Sequence, residues 1–378
     1  MQCARWADDA SVTATLRRLA PLWAIFLDLW QVLIWDCDDR VTKALNTRSK
    51  ERTITMELAG LQIYHNGRYV RYEDAKVGVL THGLNYGTGC FEGIRGYWNS
   101  DQRQLYVFRL TEHFERLRQS AKLLLVTLEE TAAQLSAHAV ELIRRNDLRQ
   151  DVYIRPIVFK SAEEIGVRLH GVSHDLSIVA LPHKAYLDAS KGLRACISSW
   201  RRVDDNSAPA RAKLTGIYVG SALAKSDAVK SGFDEAILLT ADGHVAEGSA
   251  ENIFIVRNRS LITPPVTDNI LEGITRATVM ELAQAELGLT VIERSLDRSE
   301  LYQADEVFFT GTAVGVSPVV EIDHRPIGDG SIGKVSSAIV HLYDDVTLGK
   351  LSQYSHWVTT AFPAGRASGI SGPKAAAS

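Results

Sequence analysis

The run Ala208-Pro209-Ala210-Arg211-Ala212-Lys213-Leu214-Thr215-Gly216-Ile217-Tyr218 places one lysine among small and apolar residues. A lysine in such surroundings is able to act as an amine nucleophile toward a carbonyl carbon. Downstream, Glu247-Gly248-Ser249-Ala250-Glu251-Asn252 sets acids about a glycine turn, Gly273-Ile274-Thr275-Arg276 opens a helix, and Gly311-Thr312-Ala313 puts a hydroxyl between small residues. Each piece alone is ordinary: a lone lysine is usually a solvated charge, and Glu247 a turn residue. Together they offer an amine, an acid, glycine-rich turns and hydroxyls, the set required by a phosphate-bearing aldehyde cofactor whose ring withdraws electrons. The combination points to pyridoxal 5′-phosphate.

Composition removes several other readings. The 378 residues are long enough for two domains, each with its own core. With 42 basic against 45 acidic side chains and a net charge of −3, no basic excess points to nucleic acid. Cys3, Cys37, Cys90 and Cys196 are scattered without a Cys-x-x-Cys pair, so neither a disulfide framework nor a zinc site is expected, and a cytoplasmic location fits. The histidines form no His-Glu-x-x-His motif, and no metal is expected. Gly330-Ser331-Ile332-Gly333-Lys334 reads as a surface turn, and the glycines at 83, 87, 89, 93 and 96 have the wrong intervals for a dinucleotide fingerprint.

Leu19 to Trp35 is almost wholly apolar, broken by Pro21, Asp28 and Gln31. A spanning helix needs about 20 apolar residues free of a central charge, and this run is short and flawed. It lies too far from the N-terminus for an ordinary signal peptide and lacks a small-residue cleavage site. A membrane or partner anchor and a domain-packing extension both compete with a poorly structured leader. The expectation is the leader, covering residues 1–56, with Met56 the more natural start.

The elements that must position the chemistry follow from local pattern. Asn66-Gly67 between alternating flanks predicts a hairpin. A glycine-rich stretch runs from His82 to Gly96, followed by a strand over Leu105–Leu110. Thr111 reads as a helix N-cap with acids behind it, and a second helix is expected from about Glu130 to Arg145. Strands are predicted over 151–160 and 176–181, then 193–198. A helix over 216–231 stops at Gly232. Residues 236–240, the turn at 241–244 and residues 252–257 are expected to form a meander. A helix over 275–288, strands at 306–310 and 319–322, and a helix over 334–348 complete the second unit. Ala361 to Ser378 is rich in Gly, Ala, Ser and Pro, and a disordered tail is expected over 352–378.

From about Gly60 to Leu351 the order of motifs resembles the fold-type IV aminotransferases, and within them the branched-chain amino acid aminotransferases. The resemblance rests on Tyr86-Gly87-Thr88-Gly89-Cys90-Phe91-Glu92-Gly93-Ile94-Arg95, Tyr153-Ile154-Arg155-Pro156, the Lys213 run, and the three downstream segments given above. It implies an α+β fold: a small domain over 57–186 and a large cofactor-binding domain over 187–351, with the cofactor cleft between them. It also implies reversible ping-pong amino transfer between L-leucine, L-isoleucine or L-valine and 2-oxoglutarate, with homo-oligomers of at least two chains.

Residue roles come from the same resemblance. Lys213 would bind the cofactor aldehyde and, once displaced by an amino acid, shuttle the proton between the reacting carbons. Glu247 would pair with the ring nitrogen, with Glu251 its nearest rival. Arg109 would clamp the phosphate, aided by Gly273, Ile274 and Thr275 at a helix start and by Thr312. Tyr218 would meet the phenolic oxygen and Leu271 the ring face. Tyr86, Phe91, Arg95, Tyr153 and Arg155 would line the side-chain pocket, and Gly311, Thr312 and Ala313 would receive the α-carboxylate. Cys90 and Leu214-Thr215 depart modestly from the family pattern, touching none of these roles. The rivals are a D-amino acid or (R)-amine aminotransferase or an aminodeoxychorismate lyase of the same fold type and, from another class, a non-catalytic membrane-tethered protein.

Overall fold

The computed structural model describes residues 58–183 and 191–363. The leader 1–56, with its apolar run, and residues 364–378 lie outside the described residues. Strands β1 (Gln62–His65), β2 (Arg68–Arg71), β3 (Gly89–Phe91), β4 (Ile94–Asn99), β5 (Gln104–Phe108), β6 (Val152–Lys160) and β7 (His174–Pro182) come first. Then follow β8 (Leu193–Arg201), β9 (Glu235–Leu239), β10 (Val245–Gly248), β11 (Asn252–Arg257), β12 (Ser260–Thr263), β13 (Thr290–Glu293), β14 (Glu306–Gly311), β15 (Gly315–Ile322), β16 (Arg325–Pro326) and β17 (Val358–Thr360).

The first sheet runs β17-β5-β4-β6-β7-β1-β2, with β3 on β6, and all its pairings are antiparallel. Asn66 (φ 45°) and Gly67 (φ 78°) make the expected hairpin turn, setting Tyr64 opposite Tyr69. Two positive φ values in succession are what a two-residue hairpin of this hand requires. Two helices, which we number with the short α1 (His82–Tyr86) before them, cover this sheet: α2 (Leu110–Leu123) and α3 (Ala132–Arg145). Leu110, Phe114 and Leu117 of α2 and Leu135, Leu142 and Ile143 of α3 recur at helical spacing and are buried against Leu105, Val107 and Ile154. Thr131 and Gln134 cap α3 reciprocally.

The second sheet runs β10-β9-β8-β15-β14-β11-β12-β13, with β16 on β15. Here α4 (Tyr218–Lys230) and α5 (Ile274–Ala285) are joined by α6 (Arg298–Tyr302) and α7 (Lys334–Thr347). Alternation separates the two faces. Ile253, Ile255, Val307 and Phe309 pack with Leu301, while Phe254, Val256 and Phe308 pack with Val279, Leu282 and Ile339 from α5 and α7. This sheet is apolar on both sides, which accounts for its strands of nearly continuous hydrophobic residues.

Three expectations need correction. The segment 252–257 does not continue a meander: β11 pairs with β12 and β14, whereas β10 pairs with β9. Only three residues separate β10 from β11, and Gly248 N–H donates to the Glu251 carbonyl at 2.6 Å. The six strands from β10 to β11 must therefore curl until the two meet at this turn. Thr111 is not the cap of α2, because Arg109 occupies that place in a left-handed conformation with no side-chain capping bond. The glycine-rich 82–96 stretch holds α1, β3 and the start of β4. Finally, the chain beyond 352 is ordered to residue 363: a 3-10 segment, Ser352–Trp357, leads into β17, which pairs antiparallel with β5. Buried Tyr354, Trp357 and Ala361 supply the apolar contacts that the composition of the last residues concealed.

Candidate active site

Lys213 lies on the connection from β8 to α4, where the chain meets the first sheet. Leu214 bridges to Cys90, Phe91 N–H donates to the Lys213 carbonyl at 3.1 Å, and Lys213 N–H donates to Ser120 Oγ at 3.3 Å. Below this junction Gly87 (φ 65°) approaches Gly216 so closely that a Cβ on Gly87 would stand 2.7 Å from the Gly216 Cα. Thr215 Oγ1 donates to the Gly87 carbonyl at 2.8 Å and accepts from Gly89 N–H at 3.2 Å. Glycines at 87 and 216 thus let two backbones touch and fix the Lys213 strand against β3.

The junction gathers aromatic rings about the amine. Lys213 Nζ is 5.4 Å from the ring centres of both Phe91 and Tyr218, and those rings are tilted together at 4.8 Å. Arg155 stacks over Phe91 at 4.6 Å and donates through Nη2 to the Tyr153 hydroxyl at 2.7 Å. Its Nε is buried without a hydrogen-bond partner among the described residues. Gly93 faces the Tyr153 hydroxyl, so any side chain there would displace it.

Lys213, Tyr218, Glu247 and Leu271 line one cavity, together with Arg202 and Asn252. Glu247 is buried, and both carboxylate oxygens are engaged. Oε1 lies 3.0 Å from Arg202 Nε, and Oε2 accepts from Asn252 Nδ2 and from Leu271 N–H, each at 3.0 Å. Burial raises the Glu247 pKa from the ordinary carboxylate value, and the Arg202 charge is the largest opposing influence. Glu251, its rival in sequence, lines the same cavity, and its Oε2 accepts from Ala250 N–H at 3.0 Å. Burial first and the Glu235 charge second push its carboxyl up to about 8.

Gly273 caps α5, and a Cβ there would collide with Asn252 Oδ1. The cap leaves the first N–H groups of a 12-residue helix without a side-chain acceptor, a setting suited to an anion. Thr275 is buried; burial raises the Tyr343 phenol, opposed in part by hydrogen bonds first with Tyr97 and then with Thr275. Arg109 reaches toward the same helix: its Nη2 is 3.5 Å from Glu281, while its buried Nε lies 4.0 Å from Glu112 and has no hydrogen-bond partner among the described residues. The turn holding Thr312 and Ala313 joins β14 to β15, with Gly311 packed against Ala250 and Glu251.

Two expected pocket residues stand apart from the Lys213 cavity. Arg95 is held by Asp151 at 3.2 Å and lies over Tyr97. Tyr86 is partly exposed, accepts from Gly166 N–H at 3.1 Å, and lines an adjacent cavity of about 530 Å3 with Leu214 and Ile217. Sequence reasoning missed Arg202, whose signal was a charged pair at the end of β8. It also missed a buried cluster in which Glu92 accepts from His113 Nδ1 at 2.8 Å and from Arg116 Nε at 2.6 Å. Arg116 Nη1 donates onward to the Glu272 carbonyl at 2.7 Å, tying β3 to the turn that opens α5. Burial would raise the Glu92 carboxyl, but the Arg116 charge and these hydrogen bonds bring it well below the usual range.

Comparison with known proteins agrees with this arrangement. The family model for amino-transferase class IV matches residues 89–322. A probable branched-chain-amino-acid aminotransferase of Aquifex aeolicus is 47% identical over 299 residues, covering 79% of this chain and 96% of that protein. The chain belongs to the class IV, branched-chain amino acid aminotransferase family. The Escherichia coli K12 branched-chain-amino-acid aminotransferase is 40% identical over 300 residues, covering 78% and 96% of the two chains. Among solved structures, the enzyme of Thermoproteus uzoniensis with norvaline superposes with a TM-score of 0.77 at 46% identity, covering 80% of this chain and 99% of that one. The PLP form of the Thermobaculum terrenum enzyme gives 0.77 at 35% identity, covering 81% and 100%. The expected α+β class IV fold is therefore established, and pyridoxal phosphate is the family's cofactor. No helix among the described residues is long and apolar enough to cross a membrane.

Proposed function

We propose that this chain catalyses reversible amino transfer between L-leucine, L-isoleucine or L-valine and 2-oxoglutarate, using pyridoxal 5′-phosphate. The observation that carries the proposal is the shared cavity of Lys213 and Glu247, an amine and a buried acid with the Tyr218 phenol beside them. These residues fit the cofactor. The Arg109 Nε, buried with no hydrogen-bond partner among the described residues, and the open cap of α5 suit a phosphate, and the anchored Glu247 carboxylate suits a protonated ring nitrogen. When bound, pyridoxal phosphate supplies a sink for the electrons left at the amino acid Cα as its proton departs.

In this reading Lys213 Nζ would take the proton from Cα and deliver it to C4′ of the cofactor, the work of a single tethered base. Glu247 holds the proton of the ring nitrogen, and the Tyr218 hydroxyl donates toward the phenolic oxygen. Leu271 presses on the ring, while Arg109, Ile274, Thr275 and Thr312 hold the phosphate. Gly311, Thr312 and Ala313 offer backbone N–H groups to the α-carboxylate. Phe91 and Tyr153 give the side-chain pocket apolar walls, and Arg155 gives it donors for a glutamate carboxylate.

The working molecule is at least a homodimer in the cytoplasm, with the small domain over 57–186 and the large one over 187–351. Support for the dimer comes from exposed Val79, Leu80, Leu84, Ile165, Val167 and Val219, which leave apolar surface uncovered around Tyr86. The test is steady-state turnover with L-leucine, D-alanine and an (R)-amine, each with the matching oxo acid. L-leucine is expected to be the preferred donor. Turnover of D-alanine without L-leucine would overturn the substrate assignment, and light scattering at the monomer mass would overturn the dimer.

A further inference from the structure

Arg109 has one firm neighbour in the described chain, and it comes from the C-terminal return strand. The Trp357 ring centre lies 4.1 Å from the Arg109 guanidinium carbon, and Arg109 N–H donates to the Trp357 carbonyl at 2.6 Å. The carboxylates near Arg109 are looser: Glu281 at 3.5 Å and Glu112 at 4.0 Å. A guanidinium held over an aromatic ring keeps its N–H donors for another acceptor, and the ring leaves its charge unneutralised. A tightly paired carboxylate would do neither.

The indole is itself fixed. Trp357 is buried, stacked on Tyr354 at 4.6 Å and set edge-on to Phe108 at 6.3 Å. Tyr354 donates to Glu286, just past the end of α5, at 2.6 Å. Arg109 also adopts a left-handed backbone (φ 44°, ψ 44°), a conformation costly for a long side chain unless its surroundings impose it. The hydrogen bond to the Trp357 carbonyl is one such restraint.

We infer that Trp357 is a positioning residue for the cofactor phosphate, holding the Arg109 edge toward it without touching it. This rests on the reading of Arg109 as the phosphate ligand. The C-terminal segment thereby becomes part of the cofactor site through one side chain and one carbonyl oxygen.

The experiment titrates the cofactor-free full chain with pyridoxal phosphate and, separately, with pyridoxal, which has the same aldehyde and ring but no phosphate. Wild type is compared with W357L, W357F and R109Q, and thermal unfolding of each cofactor-free variant checks that it folds. W357L is expected to weaken pyridoxal phosphate by about 10-fold while leaving pyridoxal unchanged, with W357F in between. Equal weakening of both ligands would reduce Trp357 to general support of the fold, and no weakening of either would remove its role; both results overturn the inference. If W357L fails to fold, W357F decides by the same comparison. R109Q separates the two levels: without a phosphate-dependent loss in R109Q, the Arg109 assignment itself fails. With that loss present and W357F and W357L like wild type, only the Trp357 inference falls.

Discussion

The Phe91 backbone N–H meets the Lys213 carbonyl at 3.1 Å, and through that bond the first sheet carries an aromatic wall to the amine supplied by the second half of the chain. The site is thus built by two backbones in register. Side-chain contacts alone would allow more play between wall and amine.

That register depends on the absence of side chains at Gly87 and Gly216. G87A introduces a methyl group at φ 65° and 2.7 Å from the Gly216 Cα. We expect a loss of about 2 kcal/mol in stability and a larger fractional loss of kcat than of substrate affinity. Urea unfolding and steady-state kinetics check both. A variant as stable and active as wild type would show that the junction tolerates slack.

Glu247 and Arg202 form a pair in which each side chain is nearly inaccessible, at 7% and 8% exposure. Breaking it from either side leaves a buried charge without its counter-ion. R202M is expected to lower stability by about 3 kcal/mol. E247Q removes the acid proposed to hold the ring-nitrogen proton, and kcat/KM should fall about 100-fold or more. Denaturant midpoints and L-leucine kinetics read the two effects.

Glu251 gives the fold a pH dependence of known sign. Its carboxyl is pushed up to about 8 from an ordinary 4.5, chiefly by burial and then by Glu235. Because the folded state favours the protonated form, the stability from this group is full below the unfolded value and fades as pH rises through the folded one. Between those limits the cofactor-free protein should lose stability with rising pH, and E251Q should flatten that slope. Denaturant melts across the range test it, and an unaltered slope in E251Q would assign the effect to other groups.

The Arg155 guanidinium lies over the Phe91 ring and has a buried Nε donor with no hydrogen-bond partner among the described residues. R155L keeps an apolar wall and removes the charge. The KM for 2-oxoglutarate is expected to rise about 10-fold or more, with that for L-leucine changing little. Comparable rises for both substrates would mean that Arg155 shapes the pocket without reading the carboxylate.

Local chemistry made much of this molecule legible in advance. The Asn66-Gly67 turn, the helix ends near Arg145 and Lys230, and the strand from Val152 to Lys160 all follow from nearest-neighbour preferences. The cavity residues Lys213, Tyr218, Glu247 and Leu271 were readable through the family resemblance, and the structure brings these four together. Long-range pairing was not readable. Nothing near Asn252 says that its strand leaves β10 for β14, because that choice is set by how far the sheet curls. Arg202 and Trp357 escaped for the same reason: each acquires meaning only from a partner, Glu247 or Arg109, that is distant in the chain.

The central claim is that the Lys213 amine does the chemistry, and one comparison tests it most directly. Wild type and K213A, both loaded with pyridoxal phosphate, are given L-leucine and 2-oxoglutarate, and glutamate is measured; a parallel wild-type sample is reduced with borohydride and mapped by peptide mass. The account predicts steady glutamate formation by wild type, a loss of about 1,000-fold or more in K213A, and a pyridoxyl group on the peptide containing Lys213. Undiminished glutamate formation by K213A, or the pyridoxyl group on another lysine, would contradict it.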